Sequence, residues 1–287
     1  MTTEGTYPFV VGGVSSWCDA LIWGIPEVRW RILPIISADH SRTPLFELPS
    51  WATLMDPIEL WSNALPPRGR TFSRRPIPPA DIPIRLARGA LGDGDVDDLT
   101  QTLVWCRLDP SRLRPTFRSR SAWEAFLAGL PEVVETSAGG RVPRLDISEA
   151  ARLYQTMYWL GRTAAIPTPA TDVLVATSAG WAAVPALVQR FLAGTPLLLV
   201  EHGVYVREAY LASVDEDRFG GRFFATRLAR GMARAAYLSA DVVVPVADSH
   251  STWERAFSVD RSRIRVIHNG VTVPDRVTSP PGNSTVV

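Results

Sequence analysis

The stretch Glu4-Gly5-Thr6-Tyr7-Pro8-Phe9-Val10-Val11-Gly12-Gly13-Val14-Ser15-Ser16-Trp17 decides the reading of this chain. It opens with turn-forming residues, passes through a Gly-Gly pair and enters a helical pattern. Val14, Trp17, Leu21 and Ile25 recur at helical spacing, with Cys18 and Ile22 beside them. Gly12-Gly13 lets the backbone turn sharply and leaves no side chain over the helix start. Bare N–H groups and the positive end of the helix dipole there suit an anion such as a phosphate. Taken alone, a Gly-Gly pair before a helix is also ordinary punctuation.

Further along, the pattern is a regular α/β alternation. Strands are predicted over residues 28–36, 172–176, 196–200, 241–246 and 263–267, and helices over 119–130, 147–165, 181–193 and 221–238. Ser148 is the expected N-cap of the helix over 147–165. Strands separated by helices of this length imply a parallel sheet with helices on both faces, a Rossmann-like α/β fold. Such a sheet should have a buried strand before the glycine loop, yet only Met1-Thr2-Thr3 precedes Glu4. The expectation is therefore that the start is placed too far downstream or that the first strand is clipped. Residues 37–118 read as an irregular, proline-rich insertion wrapping the surface, and residues 274–287 as a disordered polar tail. Within the insertion, Gly92-Asp93-Gly94-Asp95 lacks the spacing of a calcium loop and reads as an acidic turn leading into a helix.

Composition narrows the function classes. The 287 residues include 46% apolar and 21% charged residues, ordinary for a globular protein. A net charge of +1 provides no global field to attract nucleic acid or an anionic membrane. The 30 basic residues are all Arg. Cys18 and Cys106 cannot build a disulfide framework. No apolar run reaches the roughly 18–20 residues of a membrane span, and no secretory signal opens the chain. The expected location is the cytoplasm, with membrane contact only through partners.

Functional groups in a parallel sheet gather at the carboxyl ends of its strands. Gly12-Gly13, Thr177-Ser178, Glu201-His202-Gly203 and Val246 to Ser249 all fall there. His202 follows a buried strand and can project into a cleft, where its imidazole can bond a sugar hydroxyl or a developing phosphate charge. The alternative is a histidine satisfied by a backbone carbonyl. Arg207 could clamp a phosphate or carboxylate and Glu208 could bind acceptor hydroxyls, or the two could pair with each other. Glu4 and Tyr7 are placed at the cleft mouth. Tyr154, Tyr158 and Trp159 could stack on a sugar, though burial preference favours the core. Arg227, Arg230 and Arg234 form a helical stripe that reads as solvated surface. His40, His250 and His268 have no metal-ligand spacing, so no metal site is expected. No GxGxxG, Walker or GxSxG motif occurs, which argues against a dinucleotide oxidoreductase.

Three stretches in order, TEGTYPFVVGGVSSW from Thr3, EHGVYVRE from Glu201 and VIHNGV from Val266, resemble a retaining, family-four-like glycosyltransferase subfamily. This subfamily includes the enzyme of Pel exopolysaccharide synthesis and carries a DUF3492-type N-terminal domain. The resemblance implies a two-domain GT-B fold of which residues 1–273 form the N-terminal, acceptor-side half. It implies metal-independent transfer from a nucleotide sugar, such as a UDP-sugar, to a carbohydrate or lipid-linked acceptor, with no cofactor. Gly12 and Gly13 would face the donor diphosphate and His202 the transferred sugar, while Glu4, Tyr7, Arg207 and Glu208 would meet the acceptor. Asn269-Gly270 would mark the interdomain junction. The chain stops 17 residues beyond Gly270, so the donor-binding half is expected on another chain. The alternatives are a non-catalytic binding subunit or an inactive remnant.

Overall fold

A computed structural model describes residues 1–38, 42–62, 80–92, 96–138, 145–214 and 219–270. The chain forms an α/β fold around a parallel sheet, as the alternation implied. The strands are β1 (Thr2–Glu4), β2 (Trp30–Ser37), β3 (Ala52–Leu54), β4 (Ile58–Leu60), β5 (Leu174–Ala176), β6 (Leu197–Glu201) and β7 (Val242–Pro245). Their order is β3-β2-β1-β5-β6-β7, with β4 also paired to β2. Every pairing is parallel. The region predicted as a last strand contributes a single parallel bridge, Val243 to Ile264.

A first strand is present before the glycine loop, and it is short. β1 is only three residues long but sits mid-sheet, aligning Thr2 with Leu33 on one side and with Ala176 on the other. Its threonines hide it from a hydrophobic scan, and both are buried. Their hydroxyls are satisfied internally: Thr3 donates to the Tyr7 carbonyl at 2.8 Å and Thr2 to that of Val175 at 3.4 Å.

Strands β3 and β4 share one side of β2 because of Pro34. The Met55 N–H donates to the Ile32 carbonyl, whereas Leu33 bonds the β1 side. Alternation therefore turns residue 34 toward β3 and β4, and proline has no N–H to offer there. β3 pairs with residues 30–32 and β4 with residues 35–37, on either side of that gap.

The helices are α1 (Gly13–Gly24), α2 (Ile82–Leu91), α3 (Val96–Leu108), α4 (Pro110–Phe117), α5 (Arg120–Ala138), α6 (Ile147–Ala165), α7 (Ala183–Ala193), α8 (Tyr205–Ala212), α9 (Phe219–Ser239) and α10 (Ser251–Ala256). One face of the sheet packs Ile32, Val175, Val200 and Val244 against Cys18 and Ile22 of α1. The other packs Leu174, Ala176, Leu197, Leu199 and Val243 against α2, α3, α5, α6, α7 and α9.

Three details depart from the sequence reading. The buried stripe of α1 is Ser15, Cys18 and Ile22, one residue round from the expected one, so Ile25 is exposed. The 37–118 stretch is not a surface insertion: within it lie β3, β4 and α2–α4, and Leu86, Leu99 and Leu103 are core residues. Finally, α6 is capped by Asp146, not Ser148. The Asp146 carboxylate accepts the Glu149 N–H at 2.8 Å, and the Glu149 carboxylate accepts the Asp146 N–H at 3.0 Å. Residues 93–95, His40 and the tail 274–287 lie outside the described residues.

Candidate functional site

Because the strands run parallel, the loops after β1, β5, β6 and β7 share one edge of the sheet. Glu4 closes β1 at this edge, half-buried. Its carboxylate accepts the Ser178 hydroxyl at 2.6 Å, the Ala182 N–H at 3.3 Å and the Tyr205 hydroxyl at 3.3 Å. Burial pushes its pKa up, against the opposing pull of these bonds. Glu4 thus ties three loops together. Gly5 then takes a left-handed conformation, φ 60°, which turns the chain away from the strand.

Tyr7 is in the core and not at a cleft mouth. It is fully buried, donates its hydroxyl to Asp19 of α1 at 3.1 Å and packs its ring on Phe46. Gly12 and Gly13 are exposed, and a Cβ on either would meet nothing within 4 Å. The start of α1 has no side-chain cap and no acidic residue in its first turn. Its N–H groups are therefore open to an outside acceptor.

His202 follows β6. Both ring nitrogens are buried and have no hydrogen-bond partner among the described residues. The ring meets Trp17 of α1 edge-on, with centroids 4.6 Å apart. Burial lowers its pKa to about 4, so the imidazole is neutral at ordinary pH and can donate from one nitrogen and accept at the other. Arg207 and Glu208 lie just beyond, exposed on α8, and pair with each other at 3.1 Å.

Two buried carboxyl groups lie near this edge: Glu201, named above as part of its strand end, and Glu254, which escaped the sequence reading. Glu201 is fully buried; it accepts the Tyr237 hydroxyl and the Tyr205 N–H. Glu254 of α10 is also fully buried, and neither of its carboxyl oxygens has a partner among the described residues. Burial raises both pKa values, and for Glu254 the neighbouring charge of Glu201 adds to the shift. Glu201 is marked in the sequence as the charged residue ending the apolar run Leu197-Leu198-Leu199-Val200; Glu254 has no such signal.

Residues 267 and 268 bring the chain back to this edge. The Ile267 N–H bonds the Pro245 carbonyl, and His268 Nδ1 lies 3.1 Å from the Val246 carbonyl. Its Nε2 is 3.7 Å from Asp248, in the short 3-10 turn that precedes α10. Asn269 and Gly270 follow, exposed.

Beside the edge opens a cavity of about 460 Å³, walled by Trp61, Trp181 and Tyr205 and by the inner sides of α6, α8 and α9. Trp61 directly follows β4 and has φ 63°, a strained backbone for a bulky residue. Gly180 makes room for the Tyr205 ring, since a Cβ there would come within 2.1 Å of it. Among the described residues no group of three or more His, Cys, Asp or Glu could hold a metal ion. None of their helices is long and apolar enough to cross a membrane.

A parallel α/β sheet with its loop cluster on the carboxyl edge defines a Rossmann-like protein. The chain belongs to the DUF3492 family: the model for "Domain of unknown function (DUF3492)" matches residues 1–261. No curated protein matches it in sequence.

Proposed function

We propose that this chain is the acceptor-side domain of a retaining, nucleotide-sugar-dependent glycosyltransferase of the GT-B type, acting in the cytoplasm in cell-surface or exopolysaccharide synthesis. The observation that carries the reading is His202, a neutral imidazole with both nitrogens unpartnered at the carboxyl edge. It can bond hydroxyls of a transferred sugar without adding charge. The uncapped start of α1, with open space over Gly12 and Gly13, suits the diphosphate of a donor such as a UDP-sugar. The aromatic cavity beside Tyr205 suits the rings of a carbohydrate or lipid-linked acceptor. Most of the nucleotide would sit on a second domain, joined beyond Gly270 or carried by a separate chain. No metal and no cofactor takes part in this scheme.

The test co-expresses the chain with its flanking genomic reading frames and follows UDP release from UDP-glucose, UDP-galactose and UDP-N-acetylglucosamine. Release that falls about 10²-fold or more in His202→Ala is the expected result. Wild-type turnover in that variant removes His202 from the mechanism, and no release from any nucleotide sugar removes the transferase reading.

A binding-only subunit is the second reading. It is favoured by the weak charge of this edge, where Arg207 is engaged by Glu208 and His202 is neutral. Saturable UDP-sugar binding without turnover would select it.

A further inference from the structure

Of the six residues of α10, Glu254 alone is buried. A surface helix ordinarily turns apolar side chains to the core. This one turns a carboxyl group inward, with both oxygens enclosed and unbonded among the described residues. The helix start carries no side-chain cap. Apolar anchors follow only after the helix, at Phe257 and Val259. The Phe257 ring rests against Tyr237 of α9, with centroids 5.3 Å apart.

Glu201, fully buried as well, lies close enough for its charge to act on Glu254. It ends β6, which is paired on both sides, to β5 and to β7. Its carboxyl accepts the Tyr237 hydroxyl and, at 3.3 Å, the Tyr205 N–H. Among the described residues no arginine or histidine bonds either carboxyl. The other charged and titratable groups around α10 are directed elsewhere. Arg255 bonds the Ser251 carbonyl, and Arg230 of α9 lies over the Phe257 ring. Asp248 faces His268, and His250, at the helix start, reaches neither acid. Two enclosed carboxyl groups without a cation cannot both ionise at modest cost, so at least one keeps its proton. Losing the last proton places two like charges in the interior. Glu201 is fixed within the sheet, whereas α10 is short, uncapped and turned inward by its acid. The element that yields is therefore α10.

We infer that Glu201 and Glu254 form a proton-dependent latch, which holds α10 and the preceding residues 246–250 on the carboxyl edge and releases them when the pair loses its last proton. Release separates Asp248 from His268 and opens the β7 side of the edge beside His202. The latch is closed at low pH. Burial holds the two carboxyls at about 7 and about 8, so it opens as pH rises through that range. It does not rest on the transferase reading, since it concerns the shape of the edge and not its chemistry.

Hydrogen exchange of the full chain tests it, read by mass spectrometry at pH 6 and pH 9 and corrected for the intrinsic pH dependence of exchange. Protection of residues 246–257 should fall about 10-fold or more at pH 9, while α7 keeps its protection. Glu254→Gln should hold the protection of 246–257 at pH 9. Glu201→Gln, whose amide oxygen can still accept the Tyr237 hydroxyl, should do the same. His268→Asn removes the other titratable contact of this loop and should still lose protection as the wild type does. The inference is overturned if 246–257 are equally protected at both pH values, or if α7 loses protection in step with them. It is also overturned if the glutamine variants open as the wild type does, or if His268→Asn abolishes the pH dependence.

Discussion

Gly180 and Tyr205 show how closely the site is assembled. A methyl group at Gly180 would displace the Tyr205 ring, and with it the hydroxyl that Tyr205 donates to Glu4. Gly180→Ala should therefore cost about 1–3 kcal/mol in a denaturant titration, the usual cost of overpacking. An unchanged midpoint would mean that the ring moves freely. The pair Glu201 and Glu254 carries a pH signature. Both folded pKa values stand above the ordinary carboxylate value, at about 7 and about 8. The folded state therefore holds protons that the unfolded chain has released, and stability is lost as pH rises. Below about 4 the contribution is complete, and it disappears as pH passes through the range from 7 to 8. The thermal midpoint should fall between pH 6 and pH 9, and Glu254→Gln should flatten that fall. A midpoint that climbs over the same interval would show that the carboxyls are not buried as a pair.

At the level of elements, α1 separates side chains that look alike in sequence. Ile22 is fully buried in the cluster with Trp30, Ile32 and Val175 of the sheet, whereas Leu21 is only half-buried. Ile22→Ala should cost about 2–5 kcal/mol of unfolding free energy and Leu21→Ala distinctly less. Equal losses would mean that the helix sits in another rotation. For α6, Asp146→Ala removes one arm of the capping box and should cost about 0.5–2 kcal/mol, while Ser148→Ala should cost less. The reversed order would restore Ser148 as the cap. The bounds of α6 follow directly from its periodicity, but the choice between Asp146 and Ser148 depends on backbone geometry that periodicity does not encode. The rotation of α1 is similar: several registers offer an apolar stripe, and only the sheet beneath selects Cys18 and Ile22.

Across the whole molecule, the half from β5 onward was readable because its strands are apolar and its helices regular. The first half was harder. Thr2 and Thr3 pair in mid-sheet while looking polar, and α2 and α3 enter the core from a stretch dense in proline. The site divides in the same way. His202 could be placed at the carboxyl edge from its strand end alone, whereas Glu4 follows a strand that the sequence does not announce. Tyr7 could not be separated from them, because its burial depends on Phe46 and Asp19, which are distant in sequence. Nor could Glu254 be found, since its meeting with Glu201 requires the folded sheet.

The central position of β1 also bears on how the chain comes to be folded. Thr2 leaves the ribosome long before its neighbour Ala176. One side of β1 is therefore an open edge until β5 is made, and an open edge invites pairing with other chains. The contact has a high sequence separation, which makes closure of the sheet slow. A fragment ending before β5 should self-associate on size-exclusion chromatography where the full chain elutes as a discrete species. Discrete elution of the fragment would mean that β1 is protected by something other than β5. A strand made early thus waits on one made much later, and expression yield should depend on how quickly translation passes from β1 to β5.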